Sequence, residues 1–313
     1  MPTKPLSKAQ MQEAVDLVEK HQGIKQAARA EGVSYNMLRR RHDRAQLQGF
    51  KPTRHHEYTP ALREKLGVSH MVIPDVQAKP GVKDDHLTWA GNYAVDKQPV
   101  VIVAIGDWFD LPSLSHYDKG KIDFEGRRYV NDVKAGQASM DKFLKPIDDY
   151  NRTAKVKYQP RKVFCLGNHE IRVVRLVNDN PEYSGKFDIA DLGIKDRGWE
   201  MHDFLKVVTI NGIEYSHYFT SGVMGRPVSS AAALLRERQR SATMGHVQHT
   251  DMAIHKKTLQ RSLFCGTFYQ HDEAYLGLQG NAQKRHIILK HEVEDGQYDL
   301  MEVSLNFLRK RYS

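Results

Sequence analysis

Apolar positions follow helical spacing in some parts of this chain and gather into short runs in others, and that contrast divides the sequence. Near the N-terminus Met11, Ala14, Val15, Leu17 and Val18 fall on one helical face, and Ser7 followed by Gln10 has capping-box spacing, so a helix is predicted up to His21. Gly23 breaks it. Residues 24–31 (IKQAARAE) predict a short second helix ended by Gly32. Ser34 is a natural N-cap for a third over residues 35–48, with Val33, Met37 and Leu38 turned inward. Periodicity is then lost around Pro52, His55, His56 and Pro60. A small helical domain over 1–50, a linker over 51–67 and a larger body over 68–313 are expected.

In the body, strand-like runs alternate with helix-like segments. Residues 68–75 (VSHMVIPD), 99–107 (PVVIVAIGD) and 161–170 (RKVFCLGNHE) each end in a polar cluster, and residues 83–96 supply the helix that a βαβ unit needs between the first two. Ligands of open α/β sheets sit beyond the C-terminal strand ends. The three clusters are therefore expected on one edge. Residues 119–159 read as a polar, charged insertion, helical around 131–150, that shapes substrate access. Residues 229–239 predict a helix, residues 262–268, 286–293 and 300–305 predict strands, and residues 294–296 predict a turn.

Composition changes this picture little. With 40% hydrophobic and 27% charged residues the chain reads as an ordinary globular protein. No run approaches the roughly 20 apolar residues of a spanning helix. Residues 1–10 carry no apolar stretch behind their lysines, so no secretory signal, a cytoplasmic location and no membrane partner are expected. Cys165 and Cys265 lie in apolar runs and read as buried free thiols. Charge is more informative: residues 1–65 hold 13 Lys/Arg against 7 Asp/Glu, a balance of +6 out of +9 for the chain. Such asymmetry suits a polyanionic partner. A solvated basic face is the plainer alternative.

Residues 27–41 (AARAEGVSYNMLRRR) resemble the helix-turn-helix of transcription regulators and resolvases. In that family the second helix enters the major groove. The resemblance implies that Ser34, Tyr35, Asn36, Arg39 and Arg40 face DNA. A three-helix bundle used for protein contacts is the other reading.

The polar clusters of the body are Asp75-Val76-Gln77, Gly106-Asp107-Trp108-Phe109-Asp110 and Gly167-Asn168-His169-Glu170. Tyr215-Ser216-His217 follows a hairpin signal at Asn211-Gly212, and Gly245-His246-Val247-Gln248-His249 follows another strand-like run. In this order they resemble the D-x-H, G-D-x-x-D, G-N-H-E/D, lone His and G-H-x-H signatures of calcineurin-like metallophosphoesterases, a family that includes the Mre-type nucleases. Five signatures in family order, spanning roughly residues 68 to 255, are far more specific than any one of them. The resemblance implies an α/β fold, a four-layer αββα sandwich, preceded here by the small all-α domain. It also implies a metal-dependent phosphoesterase.

The chemistry wants these residue types. Two cations about 3.5–4 Å apart neutralise phosphoryl oxygens and acidify a water between them. By resemblance Asp107 bridges both ions, Asp75, Gln77 and Gln248 serve the first, and Asn168, His217 and His246 serve the second. His169 is implied as the general acid, Asp110 as the carboxylate that orients its ring, and Arg172 as a contact for substrate phosphate. An ordinary ion pair is the other reading of Arg172.

Gln77 and Gln248 depart from the family, which has histidines at both positions. An all-oxygen first site favours Mn²⁺ or Mg²⁺ over zinc. The implied cofactors are two divalent metal ions, manganese foremost, with magnesium, iron and zinc also compatible. A shift of one residue would instead bring His249 into that site. The leading function is a DNA-acting phosphodiesterase or nuclease, which makes DNA the expected partner. A phosphomonoesterase for protein or nucleotide substrates and a DNA-binding regulator with a degraded metal site stay open beside it.

Overall fold

The computed structural model describes residues 6–21, 23–50, 67–273 and 276–313, so all of the expected linker except Gly67 lies outside the described residues. The chain divides into two compact units, residues 1–55 and 56–313. Among the described residues no helix is long and apolar enough to cross a membrane.

The first unit contains α1 (Lys8–Lys20), α2 (Ile24–Ala30) and α3 (Tyr35–Leu47). Ser7 and Gln10 form a reciprocal capping box at the start of α1. Ser34 occupies the N-cap position of α3 without a side-chain capping bond. Ala14, Ala27, Ala28 and Leu38 make one small apolar cluster, and Met11, Val15 and Ala45 another. Methyl-sized side chains at 27 and 28 let α2 sit close to its neighbours. Met37 and Val33, expected inside, are only half-buried.

The second unit is a mixed α/β body. Its strands are β1 (His70–Ile73), β2 (Val101–Ala104), β3 (Arg161–Cys165), β4 (Glu200–His202), β5 (Val208–Ile210), β6 (Ile213–Tyr215), β7 (Thr220–Ser221), β8 (Arg226–Pro227), β9 (Ser241–Met244), β10 (Thr250–Ile254), β11 (Arg261–Cys265), β12 (His286–Glu294) and β13 (Gln297–Ser304). Its helices are α4 (Asp85–Lys97), α5 (Tyr129–Thr153), α6 (Arg172–Asp179), α7 (Ala231–Arg238), α8 (Gly277–Gly280) and α9 (Leu305–Tyr312). One sheet has six strands in the order β13-β12-β1-β2-β3-β4, and a second has five in the order β10-β11-β9-β6-β5.

Successive residues of a strand face opposite sides of its sheet, and here both sides are covered. Met71, Ile73, Ile102 and Phe164 join Leu87 and Tyr93 of α4, Met140 and Phe143 of α5 and Leu308 of α9 in one apolar cluster. Val72, Val103 and Cys165 meet Ile213, Tyr215, Leu263 and Cys265 in a second, between the sheets. Ala231 and Leu234 of α7 pack on Ala242, Met244 and Phe264 in a third. Both cysteines are free and buried as expected, and burial pushes the Cys165 thiol up to about 12.

The segment at 119–159 differs from its expectation. α5 continues through Pro146 for 25 residues and puts Val133, Met140, Phe143, Leu144 and Ile147 into the first cluster. Those positions recur at three and four residues, so this helix is a core element with a charged outer face.

Candidate metal centre

β1, β2 and β3 are adjacent and parallel, so the segments leaving their C-terminal ends emerge side by side. Asp107 and Asp110 flank Trp108 and Phe109, both fully buried. Trp108 donates its indole N–H to Ser139 Oγ at 2.7 Å and packs edge-on against Phe143 and Trp199. Two large apolar anchors thus hold two carboxylates at the end of β2.

Glu170 ties this loop to the one after β3. Its Oε2 accepts the backbone N–H groups of Asp107 at 3.0 Å and Gly167 at 2.8 Å, and its Oε1 accepts that of Phe109 at 2.9 Å. Sequence reasoning assigned this residue no role. Its place in the GNHE motif was the only signal, and three backbone donors brought from two loops were invisible in it. Glycine is required where the loops crowd together. Gly106 has φ +106°, and a Cβ there would lie 2.6 Å from His217 Nδ1; a Cβ at Gly245 would lie 2.4 Å from Asp75 Oδ1.

The central finding is a group formed by Asp107, His217 and His246, whose ligand-type atoms all lie within 4.8 Å of one another and which could hold a metal ion. His217 Nδ1 lies 3.0 Å from the Ile105 carbonyl and can only donate to it, which leaves Nε2 as a lone pair in the neutral ring. That nitrogen is 2.9 Å from Asn168 Oδ1 and 3.3 Å from Asp107 Oδ2, while His246 Nδ1 is 2.7 Å from the same Asn168 oxygen. In the neutral ring His217 Nε2 therefore faces acceptor oxygens, which a proton on that nitrogen or a cation would reconcile, whereas a neutral His246 can donate Nδ1–H to Asn168. Burial alone would keep His217 neutral, but Asp107 and Asp75 raise it to about 9. His246 is lowered to about 4 by burial and by His217. The backbone is strained at the same place: Gln77, Asp107, His246 and Gln248 all have positive φ, between 47° and 67°. Left-handed conformations in non-glycine residues gather where surrounding structure imposes them.

Asp75 and Gln77 stand apart from that group. Asp75 is fully buried, its Oδ1 accepts from the His246 N–H at 3.3 Å, and its Oδ2 has no hydrogen-bond partner among the described residues. Burial and then Asp107 shift its carboxyl upward. Gln77 is equally buried, and its Nε2 is also unpartnered among the described residues. Gln248 Oε1 accepts from the Tyr269 hydroxyl at 3.4 Å. His249 is exposed, packs against Phe264 and sits with Nδ1 3.0 Å from the carbonyl of Val247. Its ring is outside the group of Asp107, His217 and His246, and it lines the adjoining cleft.

His169 and Asp110 form a separate pair beside the group. Asp110 Oδ1 lies 3.0 Å from His169 Nδ1, and His169 Nε2 is 3.8 Å from Asp107 Oδ2. Arg172, at the start of α6, donates Nη1–H to the Asp110 carbonyl at 2.7 Å and Nη2–H to His169 Nε2 at 3.1 Å. Those donors are therefore engaged within the protein. Burial opposes a charged His169, but Asp107 and the bond to Asp110 shift its pKa upward. Asp107, Asn168, His169, His246, Gln248 and His249 line a cleft of about 630 Å³ together with Leu276, Gln279, Ala282 and Gln283.

No family model matches this chain, and no curated protein matches it.

In the first unit Ser34, Tyr35, Asn36, Arg39 and Arg40 are all exposed on or beside α3. Asn36, Arg39, Arg40, Asp43, Arg44 and Leu47 line a shallow groove along that helix.

Proposed function

We propose that the chain is a metal-dependent phosphoesterase, and foremost a phosphodiesterase acting on DNA. The observation that carries this reading is the convergence of His217 Nε2, Asn168 Oδ1, His246 Nδ1 and Asp107 Oδ2 beside a His169–Asp110 pair in an open cleft. A mixed nitrogen and oxygen donor set of this kind suits a divalent transition ion. The orphaned Asp75 Oδ2, with Gln77 nearby in sequence and Gln248, supplies oxygens for a second, harder ion such as Mn²⁺ or Mg²⁺. Ions held there would neutralise phosphoryl oxygens and acidify a water. The succession of helix, sheet, sheet and helix agrees with the αββα sandwich of calcineurin-like metallophosphoesterases.

His169 then holds the proton that the leaving oxygen needs as its bond to phosphorus breaks. Asp110 fixes the ring through Nδ1, so the proton to be given sits on Nε2, the nitrogen nearer Asp107. Arg172 holds the carbonyl of Asp110 and, in the unprotonated ring, Nε2 itself, which favours a positioning part over a direct contact with substrate. The first unit is read as a helix-turn-helix that carries the enzyme to duplex DNA through the exposed Asn36, Arg39 and Arg40.

Metal-loaded protein incubated with labelled single- and double-stranded DNA, beside chromogenic mono- and diesters, tests the reading. Cleavage of DNA and diester is expected, with His169→Ala slower by about 10² to 10⁴. Hydrolysis of monoesters alone would make it a phosphomonoesterase, and no hydrolysis with any divalent ion would sink the enzymatic reading.

A further inference from the structure

Asp110 has two carboxylate oxygens, and only Oδ1 meets His169. Its Oδ2 lies 3.1 Å from Lys79 Nζ, and the same ammonium lies 2.6 Å from Glu273 Oε1. The three side chains are largely buried, at 19%, 11% and 8% exposure for Lys79, Asp110 and Glu273, so little water competes for the lysine. Backbone pairing sets the register of this contact. Ala78 donates to the Trp108 carbonyl at 2.7 Å and accepts from Asp110 N–H at 3.0 Å, which brings the next residue, Lys79, beside Asp110. Glu273 is held in turn. Its N–H donates to Asn281 Oδ1 at 2.8 Å, the Asn281 amide returns a bond to its carbonyl at 2.8 Å, and His271 Nε2 lies 2.7 Å from Glu273 Oε1. Gln279, Ala282 and Gln283, further along the chain, line the cleft.

We propose that Lys79 is a positioning residue for the proton-donating His169: it occupies one oxygen of Asp110, leaves the other to orient the imidazole, and ties that pair to the cleft wall through Glu273. This rests on the reading of His169 as general acid. A carboxylate anchored at one oxygen presents the other in a fixed direction, whereas an unanchored one can rotate and release the ring. Loss of an outer partner of this kind typically costs about 10- to 100-fold in activity. A lysine that merely stabilised the fold would affect all substrates alike, and that separates the two roles.

The test uses leaving-group dependence. A 4-nitrophenolate leaves without help, whereas an alkoxide must take a proton as the P–O bond breaks. With 4-nitrophenyl and alkyl esters of whichever phosphate class the metal-loaded protein hydrolyses, Lys79→Met should lower kcat for the alkyl ester by about 10- to 100-fold. The 4-nitrophenyl ester, KM and bound metal should be nearly unchanged. Lys79→Arg should restore most of the alkyl-ester rate, which a misfolded variant could not mimic. Lys79→Met added to His169→Ala should slow the reaction no further, since the two would act as one unit. Equal slowing of both esters by Lys79→Met, or full additivity with His169→Ala, overturns the inference. If His169→Ala itself fails to distinguish the esters, the general-acid reading falls and takes this inference with it.

Discussion

His217 Nε2 stands 2.9 Å from Asn168 Oδ1, with the other ring nitrogen already committed to the Ile105 carbonyl. With the Asn168 oxygen turned toward the ring, two acceptors at that separation, beside Asp107 and His246, call for a proton or an ion between them. Added Mn²⁺ is therefore expected to raise the melting temperature, since a ligand at a hundred times its Kd stabilises by about 2.7 kcal/mol. His217→Ala and Asp107→Ala should lose that rise, and His169→Ala should keep it. Thermal melts with metal analysis check this, and equal loss in His169→Ala would show that the histidine roles are misassigned.

Gln77 and Gln248 bear on the second ion. Amide oxygens bind more weakly than imidazoles, so an ion near Asp75 should exchange readily and activity should depend on added Mn²⁺ or Mg²⁺. Gln77→His with Gln248→His should tighten that site. The backbone does not oppose the change, because histidine tolerates positive φ better than most residues and both positions have it. Metal titration of wild type and the double variant decides; two tightly held ions in both would show that these glutamines are not ligands.

Glu170→Gln should destabilise the second unit while altering no exposed surface. An amide would turn an NH₂ group toward backbone N–H groups that now meet a carboxylate oxygen, and an unmade buried bond costs about 1–3 kcal/mol. The loop carrying Asp107 should loosen with it. Urea unfolding and metal affinity should both fall, and an unchanged midpoint would mean that the loops hold without this residue.

Acid should destabilise the body through buried histidines that do not line the cleft. Burial is the main cause that lowers His70 and His86 to about 3, with Lys290 adding to it for His70. The unfolded chain takes up protons on these residues below about 6.5 and the folded one does not, so stability is complete above that pH and declines toward pH 3. The loss should amount to a few kcal/mol. His70 Nε2–H donates to Asn211 Oδ1 and Nδ1 accepts from the Tyr215 hydroxyl, a pair of roles that glutamine can share without titrating. Unfolding at pH 7.5, 6 and 5 should show a shallower slope for His70→Gln than for wild type; equal slopes would exclude His70 as a source.

Removing residues 1–50 should weaken duplex DNA binding and spare hydrolysis of a small chromogenic ester. In the full chain Arg39→Ala and Arg40→Ala should each reduce the salt slope of DNA affinity by about 1 if each meets a phosphate. Filter binding over a salt series reads this directly. Undiminished affinity after the truncation would remove the first unit from DNA recognition.

Much of this protein was legible along the chain because the signals are local. A continuous apolar run ending in Asp or Asn marks a strand buried on both faces, and β1, β2 and β3 lie where such runs were read. The capping box at Ser7 needs only residues three apart. What the chain could not disclose is which side chains meet across it. Glu170 bonds backbone 61 and 63 residues away, and Lys79 reaches Glu273 across 194. The polar outer face of α5 suggested a surface insertion, yet its apolar face is core. Likewise Asp75 and Asp107 each end a strand-like apolar run, but only Asp107 joins His217 and His246 in the metal-binding group. Periodicity records whether a position is covered; the direction in which a side chain points, and the partner it finds there, depend on how separate loops pack once the sheets have formed.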